Sequence, residues 1–420
     1  MTRRLRPLVG VLAAIAVAET GTRVSAIAIP WLVLVTTGSA TKTGLVAFCE
    51  LAPYVVVKAL TGPLIDRFGP RRVSWRTDLV SGAAAASVAL SPVLPFWLLL
   101  PLVAVVGAAR GPGDQAKEVM IFEATRDSGV LLERVTGLAG VIERLAATLG
   151  PAVGGVLIAV FSPSLGLLAT AVCFVAGSVI VGLVLPRGLG SAVAEPLGYG
   201  RSLVEGFEFL RRQPMLLTIF GMVSATNLLD QAFTVVLLPV WARMSGGGPA
   251  VIGLTGSVRG LASIAGSVVA TTAAHRLKRR LVFFTGFLVA GAPRFWILAG
   301  HVPLWTVLAV FVVSGFGAGF LNPILGAIPY ELVPQRLMGR VLSMGQALGW
   351  AGIPLGGLIA GAAVAATGLA PVLLAGGGIY AAVTCIAGLR PEWRSLDRPR
   401  VTASTSAEPG SPTPASRSDG

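Results

Sequence analysis

The feature that most constrains this chain is a series of apolar runs, each close to the ~20 residues a helix needs to cross a hydrocarbon layer about 30 Å thick. Twelve can be traced: Leu8–Thr36, Thr43–Ile65, Asp78–Leu94, Phe96–Arg110, Gly137–Val160, Leu165–Leu185, Met215–Trp241, Ala250–Ala273, Leu281–Ala299, Leu304–Ile328, Val341–Ala366 and Ala370–Gly388. In lipid every backbone N–H and C=O must find a partner inside its own segment or in a closed barrel, and these runs are too long and too continuously apolar for barrel strands. The composition agrees, with 54% hydrophobic and 12% charged residues. The chain therefore reads as an all-α integral membrane protein with twelve transmembrane helices. Its start, MTRRLRPLVGVLAAIAVAET, imitates a secretory signal. The apolar run resumes after Arg23, so this segment is expected to stay as the first span.

The charges punctuate the runs in a biased way. Of the 33 Lys and Arg, 25 fall in alternate loops or at the termini, whereas the opposite set of loops holds only Lys42 and Arg243. The positive-inside rule then predicts a cell membrane protein with both termini cytoplasmic and its basic face against the anionic inner leaflet. The same bias accounts for the net charge of +14 without a nucleic-acid partner. Cys49, Cys173 and Cys385 each lie inside an apolar run and show no paired spacing.

An internal repeat divides the chain. Arg71-Arg72 and Arg279-Arg280 are 208 residues apart, Arg134-Val135 and Arg340-Val341 206 apart, and Gly154-Gly155 and Gly356-Gly357 202 apart. A duplicated six-helix unit is a transporter architecture. The predicted organisation is a six-helix bundle over 1–186, a linker with an amphipathic helix over 187–214, a second, pseudo-symmetric six-helix bundle over 215–389, and a disordered Ser, Thr and Pro-rich tail over 390–420.

Between the second and third runs stands GPLIDRFGPRR, read as a tight basic turn. With Gly62, Asp66, Arg67, Gly69, Arg71 and Arg72 it matches G-x-x-x-D-R-x-G-x-R-R, and here the chain resembles the major facilitator superfamily. TTGSATKTG after the first span, Pro53, and LVPQRLMGRVLSMGQALGW before and into the eleventh are similar to the branch that includes macrolide and enterobactin exporters. The resemblance implies two bundles around a substrate site, and proton-driven export of a drug, antibiotic or siderophore-like metabolite. It also implies that the eleventh span starts near Asp66, so that Asp66 and Arg340 would form an inner latch. Arg71 and Arg72 would also anchor to lipid. In the fifth span Gly150, Pro151, Gly154 and Gly155 match the core of the family's antiporter motif and Gly137 its upstream glycine. Helix packing by small residues reads the same positions equally well. The chain departs from the family where Ala274 and Leu277 replace Asp66 and Gly69 in the second half, and where GPGDQ follows Arg110.

A charge inside a span costs roughly 2.5–3.5 kcal/mol on insertion scales, so its presence asks for a function. The first half carries most: Glu19 and Arg23 four residues apart, Glu50, Lys58, Arg110 at the end of the fourth span, and Glu143 with Arg144. The second half has Asp230, Arg259 and Arg294. Proton coupling is therefore assigned to the first half, with Glu19 the first candidate, paired with Arg23, and Glu50 the second. A self-neutralising Glu19–Arg23 pair is the alternative. Asp230 is a further candidate for the proton or for a cationic substrate, and Arg110, Glu143, Arg144 and Asn227 are candidates for the substrate cavity.

No GxxxxGK[ST], HExxH or GxSxG occurs, and the two histidines, His275 and His301, stand far apart in sequence. The chain is expected to be a monomeric secondary transporter, with no enzyme activity, cofactor or metal, whose partners are a small amphipathic molecule, protons and lipid. An uptake carrier and a non-transporting membrane sensor or assembly subunit stay open as alternatives.

Overall fold

The computed structural model of the chain describes residues 2–91, 94–186, 207–273, 279–321, 328, 332–334 and 337–390, and all regular structure among them is helical. The first half consists of α1 (Thr2–Thr37), α2 (Ala40–Ala59), the short α3 (Gly62–Phe68), α4 (Pro70–Leu90), α5 (Phe96–Ser128), α6 (Leu132–Val160) and α7 (Pro163–Val184). In the second, α8 (Pro214–Ala232) runs through a π-turn at Phe233–Leu237 into α9 (Leu238–Met244). It is followed by α10 (Gly248–Ala273), α11 (Arg279–Ala299), α12 (Leu304–Gly319), α13 (Met338–Ala351), α14 (Ile353–Thr367) and α15 (Leu369–Leu389).

Two breaks lie inside single crossings. Pro239 has no N–H to donate and its ring crowds the preceding turn, which the chain accommodates as the π-turn. Pro354, on the first turn of α14, separates α13 from α14 at Gly352 for the same reason. Among the described residues, counting each broken pair once gives twelve crossings, in two bundles of six. Ten are long and apolar enough to cross a membrane. The others are α4, whose first turns carry Arg71, Arg72, Arg76 and Asp78, and the 16-residue α12.

Three boundaries correct the sequence reading. The second crossing ends at Ala59, and GPLIDRF forms a separate short helix instead of a turn. The corner to α4 is made at Gly69, whose φ of 80° suits a residue without a Cβ, with Pro70 starting the next helix. The fourth crossing does not end at Arg110. It continues to Ser128, 33 residues or about 50 Å at 1.5 Å per residue, so Asp114, Lys117 and Glu118 are helical positions and not loop charges. Most of the predicted linker helix (187–206), the tail (391–420) and the 274–278 loop holding Ala274, His275 and Leu277 lie outside the described residues.

The repeat is visible in how the bundles are tied. Arg71 donates from Nε to the Leu185 carbonyl at 2.9 Å and from Nη2 to the Gly182 carbonyl, satisfying carbonyls at the end of α7. In the second half, Arg280 donates to the Gly388 carbonyl at the end of α15, at 2.7 Å. Arg71, for which lipid anchoring was expected, makes an internal tie, while Arg72 is exposed.

The halves meet along two seams, α2 against α14 and α6 against α10. A Cβ on Gly44 would collide with the Gly357 carbonyl, and one on Gly155 would stand 2.8 Å from the Gly253 Cα. Thr41 Oγ1 donates to the Gly361 carbonyl at 3.2 Å, and Arg243 Nη1 reaches the Leu34 carbonyl. These contacts close the end that carries Gly38 and Gly246. Of the antiporter-pattern residues, Gly150 and Gly154 pack on Arg23 and Val24 of α1, whereas Pro151 and Gly155 face α10. A Cβ on Gly137 would meet nothing within 4 Å among the described residues, so this glycine takes no part in that seam. At this opposite end Asp66 is exposed, and a Cβ on Gly62 would likewise meet nothing.

Candidate functional site

Between the halves lies a cavity of about 670 Å³ whose walls include Glu19, Arg23, Tyr54, Lys58, Arg110, Asp114, Lys117, Glu118 and Glu143 from the first half. Gln346 and Trp350 of α13 complete it from the second. Phe122, Thr136 and Gly140, near the α5–α6 connection, line its lower part, so it opens toward the end where Asp66 is exposed.

Its charged wall is built by α5. The sequence GAARGPG places Gly107 so close to α2 that a Cβ there would collide with the Glu50 carbonyl, and a Cβ on Gly113 would lie 2.7 Å from Asp78 Oδ1. These glycines let α5 wedge between α2 and α4, and Gly113 belongs to the GPGDQ segment that departs from the family pattern. Arg110 Nη1 then donates to Glu50 Oε1 at 3.1 Å, and its guanidinium lies 4.3 Å from the Tyr54 ring centroid. Two turns on, Lys117 Nζ donates to Asp78 Oδ1 at 2.8 Å. Asp114 bridges these pairs, 3.9 Å from Arg110 Nε and 3.8 Å from Lys117 Nζ, and accepts from the Tyr54 hydroxyl at 3.4 Å.

This network is deeply desolvated. Glu50 and Arg110 are each 7% exposed, Lys117 2% and Asp78 1%. Charges survive such burial only when paired and hydrogen-bonded. The pairing is incomplete at two atoms of the network: Asp78 Oδ2 and Arg110 Nε are buried with no hydrogen-bond partner among the described residues. Lys58, nearer the mouth, pairs with Glu118 at 3.2 Å and lies over the Trp350 ring at 4.9 Å, linking α2 to the second half.

Across the cavity, Glu19 and Arg23 meet at 3.2 Å as successive turns of α1. Glu19 retains 24% side-chain exposure and faces the cavity, whereas Glu50 is locked against Arg110. Glu143 also lines the cavity. Arg144 does not: one residue further round α6, it points across the seam to Ser267 Oγ at 3.4 Å. Asp78, Asp114 and Lys117 are the residues that sequence reasoning missed. The signal was present in the helical spacing of Arg110, Asp114, Lys117 and Glu118, which a span ended at Arg110 concealed.

The second half holds a smaller cavity of about 280 Å³, lined by Asn227, Asp230, Arg259, Ser263 and Tyr380 among others. Asp230 is ion-paired with Arg294, whose guanidinium is also 4.7 Å from the Phe233 ring and 5.4 Å from that of Phe295. Asn227 is engaged by the Gly349 carbonyl, to which it donates at 2.9 Å. For the proposed latch, Asp66 has no ion pair among the described residues, and the Arg340 side chain lies outside them.

Two six-helix bundles that enclose an ionisable cavity, sealed at one end and open at the other, define a multi-pass membrane transporter. The chain belongs to the Major Facilitator Superfamily, whose family model matches residues 11–246 and again 221–417. It is 31% identical over 390 residues to the multidrug efflux pump Tap of Mycobacterium tuberculosis, covering 87% of this chain and 88% of that protein. It is 28% identical over 404 residues to the pump of the same name from Mycolicibacterium fortuitum, covering 93% and 97%. Among solved structures it is similar in fold to the nucleoside transporter NupG, with a TM-score of 0.71 at 14% identity over 95% of this chain and 100% of that one. It is also similar to a bacterial homolog of the human lysosomal transporter Spinster in an inward-facing, unoccupied conformation, at 0.68 and 12% over 94% and 99%.

Proposed function

We propose that this protein exports a small amphipathic molecule, of the drug or antibiotic class, in exchange for protons by alternating access. The similarity to two multidrug efflux pumps over most of the chain supports the direction and the broad substrate class. The observation that carries the coupling is the position of Glu19: a carboxylate facing the central cavity, held by one arginine, opposite a network whose other charges are paired off.

In this conformation Glu19 is ion-paired with Arg23 and the cavity is open at the Asp66 end. The Lys and Arg bias makes this the cytoplasmic end, with both termini on that side. Substrate enters there. When the halves rock to open the other end, a proton from outside binds Glu19, weakens its hold on Arg23 and favours substrate release. The protonated carrier returns, and Glu19 gives its proton to the cytoplasm as it pairs with Arg23 again. In the outward-open state Asp66 would meet the first turn of α13, where the positive helix end and Arg340 stand, and hold the inner end shut.

Everted membrane vesicles supplied from outside with a panel of fluorescent drugs test this reading. Wild type is expected to accumulate at least one compound when a proton gradient is imposed, and Glu19→Gln to lose the gradient dependence. Absence of gradient-dependent movement of every compound, or full coupling in Glu19→Gln, would refute it.

A further inference from the structure

The cations inside the spans, some buried and some, Arg259 among them, half-buried, are not all treated alike. Arg23, Lys58, Arg110, Lys117 and Arg294 each have a carboxylate within 3.2 Å. Arg259 has neither an ion pair nor a hydrogen bond among the described residues, and its Nε is buried without a partner. It lines the 280 Å³ cavity of the second bundle, with Ser263 one helical turn further along the same face of α10. Asp230 does not neutralise it, because that carboxylate is already taken by Arg294, which in turn is surrounded by the rings of Phe233, Phe295 and Tyr380. The cavity wall therefore carries one guanidinium, that of Arg259, beside a carboxylate already paired with Arg294 behind the wall. A net cation left in low dielectric is costly unless an anion joins it.

We propose that this cavity is an oxyanion subsite, in which Arg259 receives the carboxylate of a small organic acid. A guanidinium offers a planar fork of donors matched to a carboxylate, and the Ser263 hydroxyl can supply a further donor from the same side. The volume is at the small end for ligand pockets, which suits an acidic group with one ring and not a whole drug-sized molecule. Apolar side chains of Phe287, Ala290 and Leu321 on the wall fit such a ring. The inference deepens the export reading, on which it rests, by assigning an acidic group to the transported molecule.

The test uses the full chain purified in detergent, with benzoate, benzyl alcohol and benzylammonium as probes in calorimetric titration. Benzoate should bind saturably and the other two should bind at least tenfold more weakly. Arg259→Gln should weaken benzoate at least tenfold, and Arg259→Lys by less, since it keeps the charge and loses the fork. Ligand-free Arg259→Gln should melt at a higher temperature than wild type, because an uncompensated charge is removed. Equal binding of benzoate and benzyl alcohol to the wild type would overturn the proposal, even if the variants failed to fold. Undiminished benzoate binding in Arg259→Gln would overturn it as well. Vesicle flux separates this inference from the export reading. Proton-coupled efflux of ethidium without benzoate binding sinks the subsite alone. Arg259-dependent benzoate binding without proton-coupled movement of any compound sinks export alone.

Discussion

Replacing Lys117 with methionine should be the most damaging single change in the charged wall of the central cavity, and the geometry sets the order of its neighbours. Lys117 Nζ is 2.8 Å from Asp78 Oδ1 and 3.8 Å from Asp114 Oδ1. At an effective dielectric constant of about 20 these separations correspond to gross attractions of about 6 and about 4 kcal/mol, before the cost of desolvation is set against them. Lys117→Met loses both and leaves Asp78, 1% exposed, as an unpaired buried anion, for which a cost of about 3–5 kcal/mol is expected. Asp78→Asn leaves Lys117 its attraction to Asp114 and a carbonyl oxygen to donate to, so its cost should be about 1–2 kcal/mol. In the double variant no charge is stranded at Asp78, and the loss should fall well below the sum of the singles, with a coupling of about 2 kcal/mol or more. Equilibrium unfolding in dodecyl maltoside and SDS mixed micelles, followed by tryptophan fluorescence, measures all three. Additive losses, or a Lys117→Met cost no larger than that of Asp78→Asn, would refute the reasoning.

Three further outcomes are expected. Gly44→Ala places a methyl against the Gly357 carbonyl and should wedge the sealed end, raising the reactivity of a cysteine introduced at Thr41 toward a membrane-impermeant maleimide applied from that side. Arg71→Gln removes donors to the Gly182 and Leu185 carbonyls and should cost about 1.5–3 kcal/mol in the same unfolding assay, whereas Arg72→Gln, at an exposed site, should leave the midpoint unchanged. Asp66→Asn should not alter the stability of this conformation, where Asp66 is exposed, but should reduce transport and increase cysteine accessibility at the Asp66 end. Unchanged transport and accessibility would remove the latch.

The segment lengths alone established a helical membrane protein, because a run of about 20 apolar residues has no other way to satisfy its backbone in lipid. The repeat spacing gave two six-helix halves, and the GPLIDRFGPRR pattern led to the family that the whole-chain comparison shows. The Glu19–Arg23 pair was legible too, since a four-residue spacing on a helix decides it locally. Glu50 and Arg110 could be named as buried charges, but their pairing across 60 residues could not, because it depends on how closely α2 and α5 approach at Gly107.

Asp78, Asp114 and Lys117 were missed for a related reason. Hydropathy ends a span where polar residues begin, yet the face of α5 that carries them is turned toward partners and a cavity, so the helix continues where the apolar run stops. Sequence determined which charges enter the membrane, because that is a property of composition within each run. Only the tertiary structure decided which of them are neutralised. Pairing is fixed by separations of about 3 to 4 Å between helices far apart in the chain, and at Arg259 the packing brings an arginine to a cavity without bringing it a carboxylate.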